Sequence, residues 1–516
     1  MANTPVQVVW FKRDLRTHDH SPLAKACAAG AVLPLYVIEP GLWGEPDSAQ
    51  RHWDFIAESL GDLCDDLAGL GLPLCVVEGE VTEVLAHVAT TVGPIELHSH
   101  QETGNAWTFA RDRRVAGWCR EHRVAWHQAR QQGVVRGLGQ RRGWVAQWEA
   151  LVEAPLASPS PASPPDGWKD LPSLPPARWR QRTLGVGRES CPGRQPGGRR
   201  AGLATWRSFL AGRGERFHRD IGSPERARNA GSRLSPHLAW GTLSLREVVQ
   251  DLRQARSERR GQDEWGRALA ALESRLHWHC HFIQKLESQP DLEHRTLHPA
   301  LQGLREDPHP ERLAAWCEGR TGVPLVDAGM AALRETGWLN FRMRAMLVSF
   351  ATFGLGLPWR EPALHLARLF VDYEPGIHYS QMQMQAGLTG TNALRVYNPL
   401  KQAEERDPQG RFVMRWLPAL ARLPEAWRQR PWALPAAERA ELGFVPGRDY
   451  PLPVHDFEAE ARRWKRTIHE ARQTPEARRD SDVLLERLSS RRGTRRPAPP
   501  PSPQLSLFSE PDQETP

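Results

Sequence analysis

The sequence predicts an α/β N-terminal domain built on a doubly wound, Rossmann-like parallel sheet, followed by a large all-α domain and a disordered C-terminal tail. Short apolar runs alternate with helical patterns up to about residue 135, and the pattern is helical without strand alternation from about 201 to 475. Strands that alternate with helices indicate a parallel sheet with right-handed crossovers. The expected units are the α/β domain at 4–135, a linker at 136–200, the helical domain at 201–480 and the tail at 485–516.

Five short apolar runs are the expected strands of the first domain. They occupy residues 6–11, 32–38, 73–77, 95–98 and 124–127. The segments 50–70 and 105–121 carry apolar residues at helical spacing and supply crossovers of the kind that parallel strands need.

Composition marks two irregular segments. Residues 153–200 are rich in Pro, Ser, Gly and Arg, which predicts a partly disordered linker. After residue 485 Arg, Pro and Ser dominate, so the tail is expected to be disordered.

The overall composition is typical of a soluble protein. The chain has 516 residues, of which 40% are hydrophobic and 25% charged, and it contains no run of 18 apolar residues that could span a membrane. The first seven residues are too short and too polar for a signal peptide. Seven cysteines form no C-x-x-C pair, which argues against a structural zinc site and a four-thiolate iron–sulfur cluster. A cytoplasmic monomer is expected.

The charge balance is basic, with a net charge of +7 and an isoelectric point of about 9.2. Nearly all of the bases are arginine, which pairs bidentately with phosphate, so the balance is compatible with nucleic-acid binding. A GC-rich genome, which favours arginine codons, would give the same composition, and charge alone leaves both explanations open.

The most specific motif lies at residues 321–330, which read T-G-x-P-[LIV]-[LIV]-D-A-x-M. This motif resembles the signature of the photolyase/cryptochrome family, flavoproteins that use light to repair DNA or to signal. The resemblance implies that 201–480 is an FAD-binding catalytic domain. Residues 11–19 resemble the family's first strand-to-helix turn, R-x-D-L-R-x-x-D-[NH]. In the family this domain can hold an antenna chromophore of folate or deazaflavin type; the sequence does not show whether one binds here.

Residues 232–244 resemble the family segment T-S-x-L-S-P-x-L-x-x-G-x-[IL]-S, which implies a cradle for the FAD diphosphate. Hydroxyls and free N–H groups at a helix start bind anions. The residues expected to contact the cofactor here are Ser232, Arg233, Leu234 and Ser235, with Phe217 upstream in place of the family's tyrosine. The alternative is a plain capped helix, because Ser-Pro begins many helices.

Arg344 and Asp372 match an arginine and an aspartate that pair beneath the flavin ring in the family, and Glu374 stands where the family often has a second aspartate. A buried arginine needs such a carboxylate, because an unpaired buried charge is very costly. The alternative is a structural salt bridge within a helical bundle.

Residues 275–282 resemble the family helix E-L-x-W-R-E-F-Y. The resemblance implies that Trp278 borders the lesion pocket, that Arg275 replaces a glutamate which often bonds the lesion, and that His279 replaces a flavin-contacting arginine. Arg275 and His279 are both expected to be cofactor-binding residues. The alternate histidines 277, 279 and 281 do not share one helix face, so no metal site is predicted.

Residues after the signature depart from the family. Phe341 aligns with the asparagine that faces the flavin N5, although Asn340 precedes it and a shift by one residue stays open. Arg342 matches an arginine at the lesion and would hold DNA phosphate or the flipped base.

The family's chain of electron-donating tryptophans is incomplete. Trp359 matches its middle member, but Met382 and Met384 replace the flavin-proximal and lesion-lining tryptophans. The residues considered as substitutes are Tyr373, Tyr379 and Trp338. Slow or unusual photoreduction is therefore expected.

The tail carries a short apolar motif, Gln504, Leu505, Ser506, Leu507 and Phe508. It resembles the Q-L-[SD]-L-F peptide by which bacterial proteins dock on the replication sliding clamp. Apolar residues in a polar tail favour docking; a chance match is the alternative.

Together the resemblances imply a light-dependent DNA repair flavoprotein, similar to deoxyribodipyrimidine photo-lyase. Excited reduced FAD would donate an electron to a pyrimidine lesion flipped out of ultraviolet-damaged DNA, either duplex or single-stranded. The alternative is a cryptochrome-like blue-light photoreceptor that binds FAD without repair. The altered glutamate, asparagine and tryptophan positions favour the photoreceptor, whereas the basic balance and the tail motif favour repair.

Overall fold

The computed structural model describes residues 4–185 and 189–488. Residues 485–488, predicted to begin the disordered tail, are the end of a helix that starts at Pro475, so the start of the tail was predicted too early. The rest of the predicted tail, with its motif at Gln504–Phe508, lies outside the described residues, so its disorder and clamp docking stay predictions. Within the described part, no helix is long and apolar enough to cross a bilayer.

The N-terminal part is the expected parallel sheet, and all four strand pairings are parallel. The strand order is β3-β2-β1-β4-β5, with strands β1 (Val6–Phe11), β2 (Val32–Ile38), β3 (Cys75–Glu78), β4 (Ile95–His100) and β5 (Trp126–Ala129). Strands β2 and β3 lie on one side of β1, and strands β4 and β5 lie on the other. The strand order therefore changes direction at β1. This confirms the doubly wound sheet. The strand β5 begins two residues later than predicted, because its edge position lets it carry the polar residues His127 and Gln128, which the apolar pattern does not mark.

Five helices accompany the sheet: α1 (Ser21–Ala29), α2 (Pro40–Trp43), α3 (Gln50–Ala68), α4 (Val81–Val92) and α5 (Ala106–Glu121). The connecting segment carries α6 (Trp144–Glu153) and α7 (Pro176–Arg180). The helices that follow are α8 (Arg199–Ser208), α9 (Phe217–Asp220), α10 (Ala227–Ala230), α11 (Ser235–Ala239), α12 (Leu245–Glu258), α13 (Asp263–Ser288), α14 (Pro310–Cys317), α15 (Pro324–Thr336), α16 (Phe341–Ser349), α17 (Arg360–Leu369), α18 (Pro375–Gln385), α19 (Pro399–Arg406), α20 (Arg411–Trp416), α21 (Glu425–Arg428), α22 (Ala436–Leu442), α23 (Phe457–Ala471) and α24 (Pro475–Leu488). Between Arg130 and Leu488 the described residues add no strand, which confirms the all-α character of this part.

The connecting segment is held down by large aromatic side chains. Trp144 and Trp148 are fully buried in a core shared with α12 and α13, and Trp179 is fully buried against α3 on the sheet side. The described part of the predicted linker thus packs on both halves of the molecule. The prediction of a partly disordered linker rested on its Pro, Ser and Gly content, and a few tryptophans change such a composition very little. The domain boundaries themselves stay a prediction.

The signature at 321–330 builds a turn in front of α15. Asp327 is fully buried and accepts hydrogen bonds from Thr321 N (2.9 Å), Thr321 Oγ1 (2.6 Å), Gly322 N (3.1 Å) and the Tyr450 hydroxyl (2.5 Å). Gly322 has φ +78°, and a Cβ there would lie 2.3 Å from the Leu452 carbonyl. Only glycine fits this position, since both the backbone angle and the space exclude a side chain. The signature therefore fixes where α15, and α16 after it, begin.

Candidate functional site

The centre of the candidate site is the ion pair that the sequence predicted between Arg344 on α16 and Asp372. Its geometry is bidentate, with Nη1–Oδ1 at 3.0 Å and Nη2–Oδ2 at 2.7 Å. The Asp372 side chain is 2% exposed, whereas that of Arg344 is 24% exposed. The guanidinium also lies 4.0 Å from the centre of the Phe370 ring. One edge of a fixed positive charge thus remains accessible beside an aromatic ring.

The segment that carries Asp372 is held by side chains from elsewhere in the molecule. On α3, Arg51 donates to the carbonyl of residue 369 at 2.8 Å, and His52 donates to that of residue 370 at 2.9 Å. Trp240 donates to the carbonyl of residue 371 at 2.8 Å, and Arg13, after β1, donates to that of residue 373 at 2.5 Å. Four carbonyls between residues 369 and 373 therefore accept hydrogen bonds from distant side chains, three of them from the sheet part, so the sheet part helps to position Asp372.

Ser232 and Ser235, predicted to bind a diphosphate, are half-buried, and their hydroxyls have no hydrogen-bond partner among the described residues. The loop below them is fixed by Arg213, whose Nη1 donates to the carbonyls of Asn229 and Gly231, each at 2.6 Å. Sequence reasoning missed Arg213, because an arginine that bonds only to carbonyls leaves no motif. The hydroxyls are free to bind an acceptor-rich ligand such as a phosphate.

Arg233 connects this segment to the ion pair. Its guanidinium lies 4.1 Å from the centre of the Trp338 ring, and its backbone adopts the left-handed region at φ +59°. Burial lowers the pKa of Arg233 to about 10, the Asp372 carboxylate opposes this lowering, and Arg344 adds to it. Arg233 and the Arg344–Asp372 pair therefore share one electrostatic environment, which places this residue of the predicted cradle near the ion pair.

Leu234 and Phe217 lie beneath this segment. Both are buried, at 1% and 2% exposure, in the core that also contains Phe209. The rings of Phe217 and Phe209 are 5.8 Å apart, edge to face. Phe217 supports the loop from below, so any direct contact with a cofactor stays a prediction.

His378 was not singled out from the sequence, although it follows Glu374 by one helical turn on α18. Burial lowers the pKa of His378 to about 4, so the ring is neutral at neutral pH, and both members of the Arg344–Asp372 pair act on it. Its Nε2 donates to the Ala363 carbonyl at 2.8 Å, which leaves Nδ1 as an acceptor.

Glu374 and His279 meet Arg13 from the sheet part. Arg13 Nη2 lies 3.5 Å from Glu374 Oε2, and burial raises the pKa of Glu374 to about 7. Burial, with a smaller effect from the charge of Arg13, lowers the pKa of His279 to about 4. The two predicted cofactor-binding residues are therefore both close enough to the Arg13 guanidinium to feel its charge.

An exposed tryptophan on α13 lies near two partly buried arginines, one on α13 and one on α16. Trp278 is 45% exposed and packs against Phe282 at 5.5 Å between ring centres. Arg275, one turn earlier, has a buried Nε with no hydrogen-bond partner among the described residues. Burial lowers the pKa of Arg275, and the charge of Arg342 lowers it further. The structure thus brings Arg275 and Arg342 together beside an exposed tryptophan.

At the start of α16, Phe341 is half-buried and Asn340 precedes the helix. Asn340 Nδ2 donates to the Ile221 carbonyl at 2.9 Å, whereas its Oδ1 is buried without a donor among the described residues. An amide oxygen without a donor is costly when buried. Asn340 is therefore the better candidate for a polar ligand contact at this turn, in line with the shift by one residue that the sequence left open.

Trp359 is the predicted electron donor. The position where the family has the next tryptophan is occupied by Met382, which is buried at 3% exposure. Its ring instead lies 6.5 Å from that of Tyr379, edge to face, and Tyr379 lies 5.4 Å from His378. The hydroxyl of Tyr379 donates to Asp47 at 3.2 Å. A tyrosine therefore occupies the space between Trp359 and the ion-pair region.

We expect light-driven reduction of the loaded protein to be slow and to depend on Tyr379, because loss of an electron from this tyrosine must be coupled to transfer of its phenol proton to Asp47, which accepts a hydrogen bond from it at 3.2 Å. Transient absorption after blue excitation should show slower reduction in Tyr379→Phe than in the control Tyr397→Phe. A fast tryptophanyl radical that disappears in Trp359→Phe but persists in Tyr379→Phe would contradict this route.

Apart from the ion-pair site, a cleft lies at the carboxyl ends of β1, β2 and β4, where the strand order changes direction. Its wall includes Glu39, Glu102 and Arg111 from the sheet part and Trp240 and Tyr373 from the helical part. Arg111 lies 2.9 Å from Glu39 and 2.6 Å from Glu102. Open α/β sheets bind ligands at such a switch point.

The residues around Arg344 fit a flavin dinucleotide. Unbonded hydroxyls beside a cation suit a diphosphate, and a partly exposed guanidinium held by a buried carboxylate suits a ring system that carries negative charge. The fold and this site define a flavoprotein whose cofactor is held among helices.

Comparisons with known proteins agree. Residues 7–138 match the family model described as DNA photolyase, and residues 272–470 match the model described as the FAD binding domain of DNA photolyase. A deoxyribodipyrimidine photo-lyase of Streptomyces griseus is 32% identical over 474 residues, which cover 89% of this chain and 97% of that protein. A cryptochrome DASH of Gloeobacter violaceus is 30% identical over 487 residues, which cover 88% of this chain and 94% of that protein.

A solved structure shares the fold of this chain. The solved structure of a Synechocystis sp. PCC6803 cryptochrome superposes with a TM-score of 0.80 at 24% identity, over 90% of this chain and 100% of that one. The chain belongs to the photolyase/cryptochrome family, and FAD is its cofactor. Both repair enzymes and cryptochromes are among its relatives, so family membership alone leaves its activity open.

Proposed function

We propose that the protein repairs pyrimidine lesions in ultraviolet-damaged DNA with light. The observation that carries this proposal is the exposed Trp278 on α13, which has the partly buried, positively charged Arg275 one turn before it and Arg342 near Arg275. Arginine pairs bidentately with phosphate, so two arginines near each other beside an aromatic ring suit the backbone and a base of a nucleic acid. An exposed tryptophan offers a face on which a flipped base stacks.

The protein's own residues have three tasks in this proposal. Ser232, Ser235 and Arg233 hold the diphosphate, and the Arg344–Asp372 pair holds a positive charge at the ring. Trp278, Arg275 and Arg342 bind the flipped nucleotide. Reduced FAD, when bound, supplies the electron that light transfers to the lesion.

The second candidate function is a blue-light photoreceptor without repair activity. The observation that favours it is the buried Met382 in place of the tryptophan closest to the flavin, since a repair enzyme needs its flavin reduced. Under both functions we propose that the cleft at the sheet's switch point holds an antenna chromophore, because it opens between the sheet and the helical part.

Illumination of the purified, FAD-loaded protein with damaged oligonucleotides decides between the two functions. Substrates with a single cyclobutane dimer or a single 6-4 product should be tested separately, with a dark control for each. We expect reversal of one lesion class in the light only. No reversal of either lesion by chemically reduced protein would leave the photoreceptor as the better proposal.

We expect Arg342→Ala to weaken binding of damaged DNA by about 10-fold or more and binding of undamaged DNA much less. The reason is that Arg342 lies at the proposed nucleotide pocket rather than along the backbone track. Binding should be measured by fluorescence anisotropy with matched damaged and undamaged duplexes. Arg120→Ala on α5 removes the same charge from the surface of the sheet part and serves as the control. Equal losses for both duplexes in Arg342→Ala would assign this arginine to general phosphate contact.

A further inference from the structure

The second feature that points to a ligand is a pair of histidines on the sheet, apart from the FAD site. His98 on β4 lies directly opposite His127 on the edge strand β5, and Glu96 lies two residues before His98. Alternate residues of a strand point to the same side, so the three side chains share one face. His98 is only 4% exposed, whereas the side chains of Glu96 and His127 are 33% and 51% exposed.

Hydrogen bonds fix which nitrogen of His98 carries the proton. Gln7 Nε2 donates to the Pro5 carbonyl at 2.9 Å, so Gln7 Oε1 is left as an acceptor. His98 Nε2 lies 2.6 Å from that oxygen and must therefore donate to it. In a neutral ring the other nitrogen, Nδ1, then holds a lone pair. This Nδ1 is buried and has no hydrogen-bond partner among the described residues.

The charge state agrees with a ligand role. His98 is 4% exposed, and among the described residues only Nε2 has an acceptor, Gln7 Oε1, whereas Nδ1 has none, which suits a neutral ring. A neutral imidazole whose second nitrogen is held by an outer hydrogen bond is the form in which histidine binds metals. Without a ligand, the Nδ1 lone pair would be buried at a free-energy cost.

The three groups are close enough to share one ion. One ligand atom from each of Glu96, His98 and His127 lies within 4.8 Å of the others. Glu96 Oε2 and His127 Nε2 form a hydrogen bond of 3.2 Å, and this length is close to the separation of about 3.4 Å between two ligands of a tetrahedral zinc ion, so an ion would replace the hydrogen-bonded proton. The two imidazole rings stack with their centres 4.7 Å apart, so the exposed His127 has to turn out of this stack before its nitrogen and that of His98 point at one ion.

We propose that Glu96, His98 and His127 bind a divalent late first-row metal ion, with zinc as the first candidate. Two imidazoles and one carboxylate form a ligand set that zinc uses, and the exposed side of His127 leaves its fourth position open to water. The sequence predicted no metal site, because the ligands come from two strands far apart in the chain and form no motif.

The test uses the full-length, FAD-loaded protein without a histidine tag, stripped with EDTA and titrated with Zn²⁺ against a chromophoric chelator. We expect one equivalent to bind and each of Glu96→Gln, His98→Ala and His127→Ala to weaken it by at least 10-fold. His122→Ala is the matched control, because His122 is another exposed histidine of the sheet part that stacks on an aromatic ring, Trp118, at 4.6 Å. Flavin absorbance should be unchanged in all of them, which shows that the fold persists.

A second readout tests the geometry. Cu²⁺ bound in place of zinc should give an electron paramagnetic resonance spectrum with coupling to two imidazole nitrogens, reduced to one in His127→Ala. Gln7→Leu, which removes the outer hydrogen bond, should weaken Zn²⁺ binding by about 10- to 100-fold. Absence of saturable Zn²⁺ binding, or binding that His127→Ala leaves unchanged, would overturn the proposal. Because His127 is half exposed, loss of folding would not explain the result for that variant.

Discussion

Asp372→Ala is expected to purify with little FAD. The substitution leaves the Arg344 guanidinium without its carboxylate partner, and removal of one member of a buried pair costs about 3–5 kcal/mol. Because Arg344 is 24% exposed and water can reach one edge of it, we expect the lower end of this range. The ratio of flavin to protein absorbance measures occupancy, and added FAD should restore it only at high concentration.

The control for this result is Asp65→Ala. Asp65 pairs with Arg200 at 2.7 Å, the same distance as the Asp372–Arg344 contact, but its side chain is 62% exposed. Surface pairs contribute little, so flavin content should not change. Full occupancy in Asp372→Ala would show that the pair is structural and that FAD is held elsewhere.

Asp327→Ala is expected to destabilise the folded protein more than any substitution at the surface. It leaves four buried donors without an acceptor: two backbone N–H groups and the hydroxyls of Thr321 and Tyr450. Each such group costs about 1–3 kcal/mol, so the total should be about 4 kcal/mol or more. Thermal and denaturant unfolding followed by circular dichroism would measure it.

Tyr450→Phe is the graded comparison for Asp327→Ala. It removes one of the four donors and leaves the carboxylate with its other three hydrogen bonds, so the loss should be about 1–2 kcal/mol. If Asp327→Ala unfolds at the same midpoint as the unmodified protein, the signature turn does not limit stability. Flavin loss without a change in unfolding would instead tie this turn directly to the cofactor.

Much of the fold could be predicted because short stretches of sequence determine the position of many strands and helices. Buried parallel strands are nearly continuous apolar runs, and β1 and β2 were placed with their observed limits. The edge strand β5 was displaced, since half of it faces water. The buried tryptophans of the connecting segment were not foreseen, because burial there depends on partners in two distant parts of the chain.

Less of the candidate site than of the fold could be predicted from the sequence. Arg344 and Asp372 could be paired because a resemblance placed both of them, and their geometry agrees. His378 and Arg213 were missed, because the first acts through its neighbours and the second through backbone carbonyls. The roles of the remaining predicted residues, including Trp278 and Trp359, stay predictions.

The hydrogen bonds that reach the Asp372 segment from the sheet part have a consequence for how the molecule can be rebuilt. Arg13, Arg51 and His52 all come from the first 52 residues and all hold backbone carbonyls within four residues of Asp372. A chimaera that exchanges the N-terminal half for that of a relative would keep every residue of the helical site and still lose its alignment. The N-terminal half can therefore be exchanged only for one that has the equivalents of Arg13, Arg51 and His52 at the same contacts with the segment around Asp372.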